Sequence, residues 1–269
     1  MKKILPNVGR VRAIVMRHLY LYKGRSLPRF MDIFFWPVVT LLTWGFLSVY
    51  LSNVNLSNVN FLSVILGAVI FWEVVQRSQN AISIYFLEDV WEKNFLNIFV
   101  TPLRLSEFFI ASVILGIIKI IITCAILFII TLGLYHYNIF SIGISLIPYL
   151  FNLFLFGMVI ALFINGVIVR YGTSAQVLAF GLIFIIQPIC AVFYPVSALP
   201  TFIHPLSYAI PVTHVFESMR ATIAGAPFDW QSFFVTTILN VIYFILAWLF
   251  FKKMFANVKK KGLLLKVQN

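Results

Sequence analysis

The stretch EDVWEKNFLNIFVTPLRLSE, residues 88–107, lies between two strongly apolar segments and is the longest polar interruption before residue 190. Three acidic residues crowd its start, where a helix dipole favours negative charge, and apolar residues then recur at helical spacing: Glu88, Asp89 and Glu92, then Trp91, Phe95, Ile98 and Phe99. Pro102 ends the pattern, because proline lacks an N–H and disfavours helical geometry in the residue before it. We predict a short amphipathic helix at 88–100, lying at a membrane surface with its polar side toward water. The same residues also fit a plain interfacial turn that joins two spans.

The composition excludes an ordinary soluble domain. Of the 269 residues, 62% are hydrophobic and only 10% are charged, and the mean hydropathy is +1.00. Globular chains are roughly half apolar and about a quarter charged. At ~20 residues per span, the chain has room for about six spans and short loops. We therefore predict an all-α integral membrane protein, with residues 1–269 forming a single transmembrane domain in the lipid bilayer.

The net charge of +12 is grouped by position along the chain. Eight basic residues precede Pro37 and six follow Phe251, whereas the predicted outer loops carry only Arg220. Such grouping is typical of membrane orientation and not of a nucleic-acid-binding face, so we expect no nucleic-acid partner. The positive-inside rule predicts an even number of spans, with both termini and the 88–100 segment in the cytoplasm.

The hydrophobic pattern predicts six spans, a surface helix and a broken outer segment. The spans are 34–51, 61–86, 108–135, 147–169, 177–193 and 233–251. Residues 8–28 are predicted to form a basic amphipathic helix on the anionic cytoplasmic leaflet, with His18 packed on its apolar side. Five prolines divide residues 194–230 into pieces. Two brief helices are predicted there, at 199–210 and 213–224, apolar enough to enter the membrane but too short to cross it.

Three charged residues fall within predicted spans, where charge is costly and usually faces a bundle interior or a wet cavity. Glu73 and Arg77 are four residues apart and can form a pair along one helix. Glu73 and Lys119 lie at similar predicted depths, so they can instead form a pair between helices. The three residues either line a transport path or form an ion pair that holds helices together, and the second interpretation is favoured.

Motifs for chemistry are missing from the sequence. It contains no Gly-x-x-x-x-Gly-Lys-[Ser/Thr] phosphate loop, no His-Glu-x-x-His and no Gly-x-Ser-x-Gly. Cys124 and Cys190 both lie in apolar runs and give no disulfide framework or metal spacing. We predict no catalytic residue, no metal site and no cofactor in this chain.

Several blocks together resemble a known family: the basic amphipathic N-terminus, DIFFWPVVTLLTWGFLSVYL (32–51), FLEDVWEKNFLNIFVTPLRLSEF (86–108), FYPVSALP (193–200) and YAIPVTHVFESMRA (208–221). They are similar to the type-2 membrane subunits of ATP-binding-cassette (ABC) exporters, and the resemblance covers essentially the whole chain.

The resemblance implies six spans, a dimer, which we expect to be a homodimer, and a bacterial inner-membrane location. It implies that the 88–100 segment is a coupling helix seated in a cleft of a separate ATPase subunit, which binds the ATP and magnesium. The implied contact residues are Glu88, Asp89, Trp91, Glu92, Lys93, Asn94 and Phe95. The N-terminal helix would be a second contact, and 194–230 would form re-entrant outer helices over the exit. The implied cargo is lipid-like, drug-like or a glycan.

Two other functional classes stay open on the residues alone. One is a membrane-embedded lipid-modifying enzyme with Glu73, Arg77 and Lys119 as its polar centre, although no nucleophile or metal ligand accompanies them. The other is a membrane scaffold that transports nothing.

Overall fold

The computed structural model describes residues 7–24, 26–54, 61–92, 97–98 and 101–260, and within these ranges every regular element is helical. The α-helices are α1 (Val8–Gly24), α2 (Ser26–Phe30), α3 (Trp36–Val54), α4 (Phe61–Trp91), α5 (Leu105–Tyr135), α6 (Leu146–Tyr171), α7 (Gln176–Ile189), α8 (His204–Ala209), α9 (Pro211–Ile223) and α10 (Trp230–Lys260). A π-helical turn, Met31–Phe35, precedes α3. Short 3₁₀ turns occupy Ile139–Ser145, Gly172–Ala175, Val196–Ala198 and Thr201–Ile203.

Five segments of the described chain are long and apolar enough to cross a membrane: Met31–Ser52, Phe61–Trp91, Leu105–Tyr135, Ile139–Ile189 and Trp230–Lys260. The fourth is 51 residues long and contains α6 and α7, with a break at Gly172, where φ is +67°. Helix α7 has 14 residues and is about 21 Å long, which is shorter than the ~30 Å hydrocarbon core. The protein is therefore a multi-pass helical membrane protein, and the predicted count of six spans is not confirmed.

Helix α4 is the centre of the bundle. It is buried over most of its length and packs against α3, α5 and α6, and α6 in turn packs against α10. A helix with apolar residues all round is typically surrounded by other helices. The helices at the periphery of the bundle instead expose large apolar side chains, as expected for surfaces that contact lipid.

Helix α1 covers Val8–Gly24 of the segment predicted as one N-terminal helix, and its apolar side lies against protein. Val11, Ile14 and His18 are buried, and α1 packs against α5. The predicted membrane-facing side is thus covered by protein. The reason lies in acidic residues of α4 and α5, which bind arginines of α1 and hold it against the bundle.

The proline-rich segment 194–230 forms two short α-helices, α8 and α9, near the predicted positions 199–210 and 213–224. Arg220 of α9 donates to the carbonyl oxygens of Ala191 and Val192, at 3.0 and 3.2 Å. Arg220 Nη2 pairs with Glu217 Oε1 at 2.8 Å, and the same oxygen accepts the Val196 N–H. Backbone groups freed after the end of α7 are thereby satisfied, as a low-dielectric setting requires.

The contact between α4 and α6 requires a glycine, which gives a direct test of this packing. A Cβ on Gly157 would overlap Ser78 Oγ and lie 2.7 Å from the Val75 carbonyl oxygen. We expect Gly157→Ala to lower stability by about 1–3 kcal/mol, because the helices must separate. The midpoint of thermal unfolding in detergent measures the effect.

Gly181 in α7 is the matched control, since a Cβ there meets nothing within 4 Å. Gly181→Ala is expected to be neutral or stabilising by up to about 1 kcal/mol, the helix-propensity gain. Equal destabilisation of both variants would contradict the close α4–α6 contact.

Candidate functional site

An ion-pair cluster joins three elements within the bundle. Arg77 Nε donates to Glu73 Oε2 at 3.0 Å, so the pairing predicted along α4 is confirmed. Lys119 of α5 pairs with Asp32, and the alternative pairing of Lys119 with Glu73 is wrong. Arg77 Nη1 also donates to Asp32 Oδ1 at 2.5 Å. Asp32 therefore binds both buried cations and links α4 to α5.

The π-helical turn explains how Asp32 reaches both partners. The Trp36 N–H bonds the Met31 carbonyl, five residues back, which is the wider spacing of a π-helix. Within this turn the Asp32 carbonyl accepts Arg77 Nη1 at 2.6 Å, and the Ile33 carbonyl accepts Thr123 Oγ1 at 3.3 Å. The sequence placed Asp32 just before the first span and gave no sign of this role, because its partners are 45 and 87 positions away.

A cavity of about 900 Å³ lies beside this cluster, between α3, α4 and α7. Its polar wall comes mainly from α4 and includes Glu73, Gln76, Arg77 and Asn80. Aromatic rings form much of the rest: Trp36, Trp44, Trp72, Trp91, Phe180 and Phe184. Glu73 and Arg77 thus line the cavity, whereas Lys119 does not. A volume of this size falls within the ~300–1,000 Å³ range of sites for drug-sized ligands.

The predicted start of a helix at Glu88 is wrong, because α4 continues to Trp91. Leu87 and Val90 are fully buried, so the apolar pattern of α4 does not stop at residue 86. Glu88 and Asp89 consequently lie at the negative end of the helix dipole, where acids are unfavourable. Nearby arginines compensate for this position, as the next contacts show.

Arginines of the N-terminal helices bind the acids at the ends of α4 and α5. Arg29 of α2 pairs with Glu88 at 2.7 Å, and Arg17 of α1 pairs with Asp89, which is 1% exposed. Arg10 lies 3.6 Å from Glu107 at the start of α5. These contacts fasten α1 and α2 to the two spans that flank residues 92–104.

The other predicted contact residues divide into two groups. Trp91 is 44% exposed, and its Nε1 donates to Gln176 of α7 at 3.0 Å. Glu92 is exposed and lies 3.8 Å from Arg17. Lys93, Asn94 and Phe95 lie outside the described residues, as does most of the 88–100 segment beyond Glu92.

The described residues offer no group of three or more His, Cys, Asp or Glu side chains that could hold a metal ion. The lining of the cavity offers ion pairs, amides and aromatic rings. The profile of the ABC-2 type transporter family matches residues 10–224, from α1 through α9.

The chain belongs to the ABC-2 type transporter family. Chains of this family are the permease domains of transporters and normally work with an ABC ATPase subunit. A search of curated proteins found no match. The match includes the elements that form the cavity and the ion-pair cluster of this ABC-2 permease.

The contacts between α1, α2 and α4 enclose His18. His18 is fully buried, its ring lies 4.7 Å from the Tyr85 ring, and neither ring nitrogen has a hydrogen-bond partner among the described residues. Burial lowers the pKa of His18 to about 4, and the positive charges of Arg17 and Arg29 add to the shift. The ring is therefore neutral at physiological pH, which agrees with the packing role predicted for it.

The Asp32 cluster predicts a large loss of stability when its negative charge is removed. Asp32→Asn leaves Arg77 and Lys119, 5% and 3% exposed, without their shared carboxylate. We expect a loss of about 3–5 kcal/mol, the usual cost of breaking a buried pair. Thermal unfolding of the purified permease measures it, and adding Lys119→Met to Asp32→Asn should restore part of the stability.

Asp229→Asn is the control for the same chemical change. Asp229 Oδ1 accepts the N–H groups of Gln231 and Ser232 at the start of α10, and asparagine caps helices about as well as aspartate. A change within about 0.5 kcal/mol is expected there. An equally small effect at Asp32 would contradict its role in joining three elements.

The burial of neutral His18 predicts a pH-dependent stability. In the unfolded chain His18 binds a proton below about pH 6.5, and in the folded chain only below about 4. The contribution of His18 to the free energy of unfolding is fully present above pH 6.5 and is lost as the pH decreases toward 4. Between pH 7 and pH 5 the loss is about 2 kcal/mol. His18→Phe keeps a ring against Tyr85 and should remove this slope. His214→Phe should retain it, and identical slopes in both variants would exclude His18 as the source.

Proposed function

We propose that this chain is the permease subunit of an ABC exporter, driven by ATP hydrolysis on a separate ATPase subunit. The observation that carries the proposal is the cavity between α3, α4 and α7 in a chain of the ABC-2 family. The cavity combines aromatic rings with polar side chains inside an apolar bundle. Polar side chains at membrane depth typically mark a substrate path.

In this proposal the charged residues of the cavity would have both of the roles considered from the sequence. Glu73 and Arg77 line the cavity and pair with each other, and Arg77 also pairs with Asp32. Lys119 is 3% exposed and acts only through Asp32. In this proposal the ion pairs hold α3, α4 and α5 together while the cavity side of α4 contacts cargo.

The segment after α4 is the proposed lever that receives force from the ATPase. Trp91 and Glu92 are exposed at the end of α4, and with Lys93, Asn94 and Phe95 they would contact the ATPase. Glu88 and Asp89 belong to the same contact region but bind Arg29 and Arg17. These pairs would transmit the motion to α1 and α2.

Assembly and location follow from the same interpretation. The permease would form a homodimer in a bacterial inner membrane, with both termini in the cytoplasm, where the ATPase binds ATP and magnesium. Helices α8 and α9 would be the re-entrant helices near the exit, supported by Arg220. The positive-inside pattern supports this orientation.

The alternatives lack comparable support. A lipid-modifying enzyme would need a nucleophile beside Glu73, Arg77 and Lys119, and no cysteine is among the described residues that line the cavity. A scaffold without transport would have no need for an aromatic and polar cavity of this size.

Co-purification with the ATPase encoded beside this chain tests the proposal. Tagged wild-type permease should retain the ATPase in detergent, and the double variant Glu92→Arg plus Phe95→Ala should lose it. The reason is that charge reversal and truncation at an interface centre typically cost more than 2 kcal/mol in binding.

The control places similar changes on the opposite side of the protein. Gln231→Arg plus Phe234→Ala alters two exposed residues at the start of α10 and should retain the ATPase. Retention by the Glu92 and Phe95 variant would make the segment an ordinary turn. No association with the wild-type chain would favour the enzyme or scaffold alternatives.

A further inference from the structure

The cavity brings tryptophan rings from α3 and α4 together with amide side chains from α4 and α7. Four of the six tryptophans of the chain line it. Trp36 and Trp44 are eight residues apart on α3 and so share a side of that helix, while Gln76 and Asn80 are four apart on α4. Gln187 of α7 adds a third amide. The lining thus combines flat aromatic rings with neutral hydrogen-bonding groups.

The charges of the lining are already compensated within the protein. Each carboxylate of the cavity wall, on Asp32, Glu73 and Glu88, pairs with an arginine or lysine. Both lining arginines, Arg29 and Arg77, are engaged in those pairs. A charged ligand would have to disrupt one of these pairs, and breaking a buried pair is costly. The wall therefore favours a ligand without net charge.

Several polar groups of the lining have no partner within the described protein. Gln76, Asn80 and Gln187 make no side-chain hydrogen bond to another described residue. An apolar ligand that covered these three amides would leave their donors and acceptors without partners, which is unfavourable. The occupant must supply both donors and acceptors.

We propose that the cavity binds the saccharide part of an uncharged cargo, such as a neutral glycoside or glycolipid head. A sugar ring presents axial C–H groups that stack on an indole face, and its hydroxyl edge both donates and accepts hydrogen bonds. These two sides match the tryptophans of α3 and the amides of α4 and α7. This inference rests on the proposed transport function and narrows its cargo to one class.

Three probes with the same tail and different heads test the proposal: octyl β-glucoside, octyltrimethylammonium and octyl phosphate. The full permease is placed in phosphatidylcholine nanodiscs, and saturation-transfer NMR is recorded below the critical micelle concentrations, with empty nanodiscs subtracted. The wild type should bind the glucoside at least about threefold more tightly than either charged probe, and the glucose ring protons should receive more saturation than the tail.

Variants with little risk of misfolding identify the site. Trp36 is 60% exposed, so Trp36→Ala removes little packing and should weaken glucoside binding by about threefold to tenfold through loss of stacking. Trp230 is 63% exposed and lies outside the cavity, so Trp230→Ala should bind as the wild type does. Asn80→Leu keeps the volume of the side chain and should abolish the preference for the glucoside over the charged probes.

The outcomes separate this inference from the transport function itself. Equal binding of the three probes, tighter binding of a charged probe, or an equal loss in Trp36→Ala and Trp230→Ala would overturn the saccharide proposal. ATPase co-purification is measured on the same preparations. If it persists while glucoside preference is lacking, the chain is a permease whose cargo is of another class.

Discussion

The bundle depends most on the two ion pairs that the Asp32 carboxylate forms. This carboxylate binds Arg77 of α4 and Lys119 of α5, both nearly fully buried, from a π-helical turn at the start of α3. Two cations alone at this depth would repel each other and lack solvation. With Asp32 and Glu73 present, the cluster has two positive and two negative groups and can exist in an apolar surrounding. The position of α3 against α4 and α5, and hence one wall of the cavity, follows from this neutralisation.

A second set of ion pairs connects the end of α4 and the start of α5 to the N-terminal helices α1 and α2. Asp89 and Glu88 lie at the unfavourable end of the α4 dipole and bind arginines of α1 and α2, while Glu107 is near Arg10. The N-terminal helices are thereby attached to both spans that flank the proposed coupling segment. A displacement of that segment would move α1 and the C-terminal end of α4 together, close to where Glu88 and Trp91 line the cavity. The pair between Arg29 and Glu88 thus links α2 directly to the wall of the cavity.

Particular residues show which contacts sequence patterns predict and which they do not. The Glu73–Arg77 pair was predictable because four-residue spacing brings side chains together on one helix. The partner of Lys119 was not, since Asp32 is distant in sequence and depends on a π-helical turn that no periodicity reveals. The helix start at Glu88 was predicted wrongly because acids resemble an N-terminal signal, although here their charge is compensated by arginines from elsewhere. The short helices after Pro195 were predictable, since proline spacing fixes where helices end.

The sequence by itself determined that this is a helical membrane protein with basic residues grouped at both ends of the chain, because apolar content, span length and charge grouping are local properties. Its resemblance to the type-2 ABC permease family also rested on contiguous blocks, and the match to the ABC-2 family bears that resemblance out. Only the tertiary structure decided which charges neutralise one another, which side of α1 is covered by protein, and that four tryptophans meet three amides in one cavity. Those features require residues from α3, α4, α5 and α7 to meet. Helix packing, and not separation along the sequence, sets the distances between these residues.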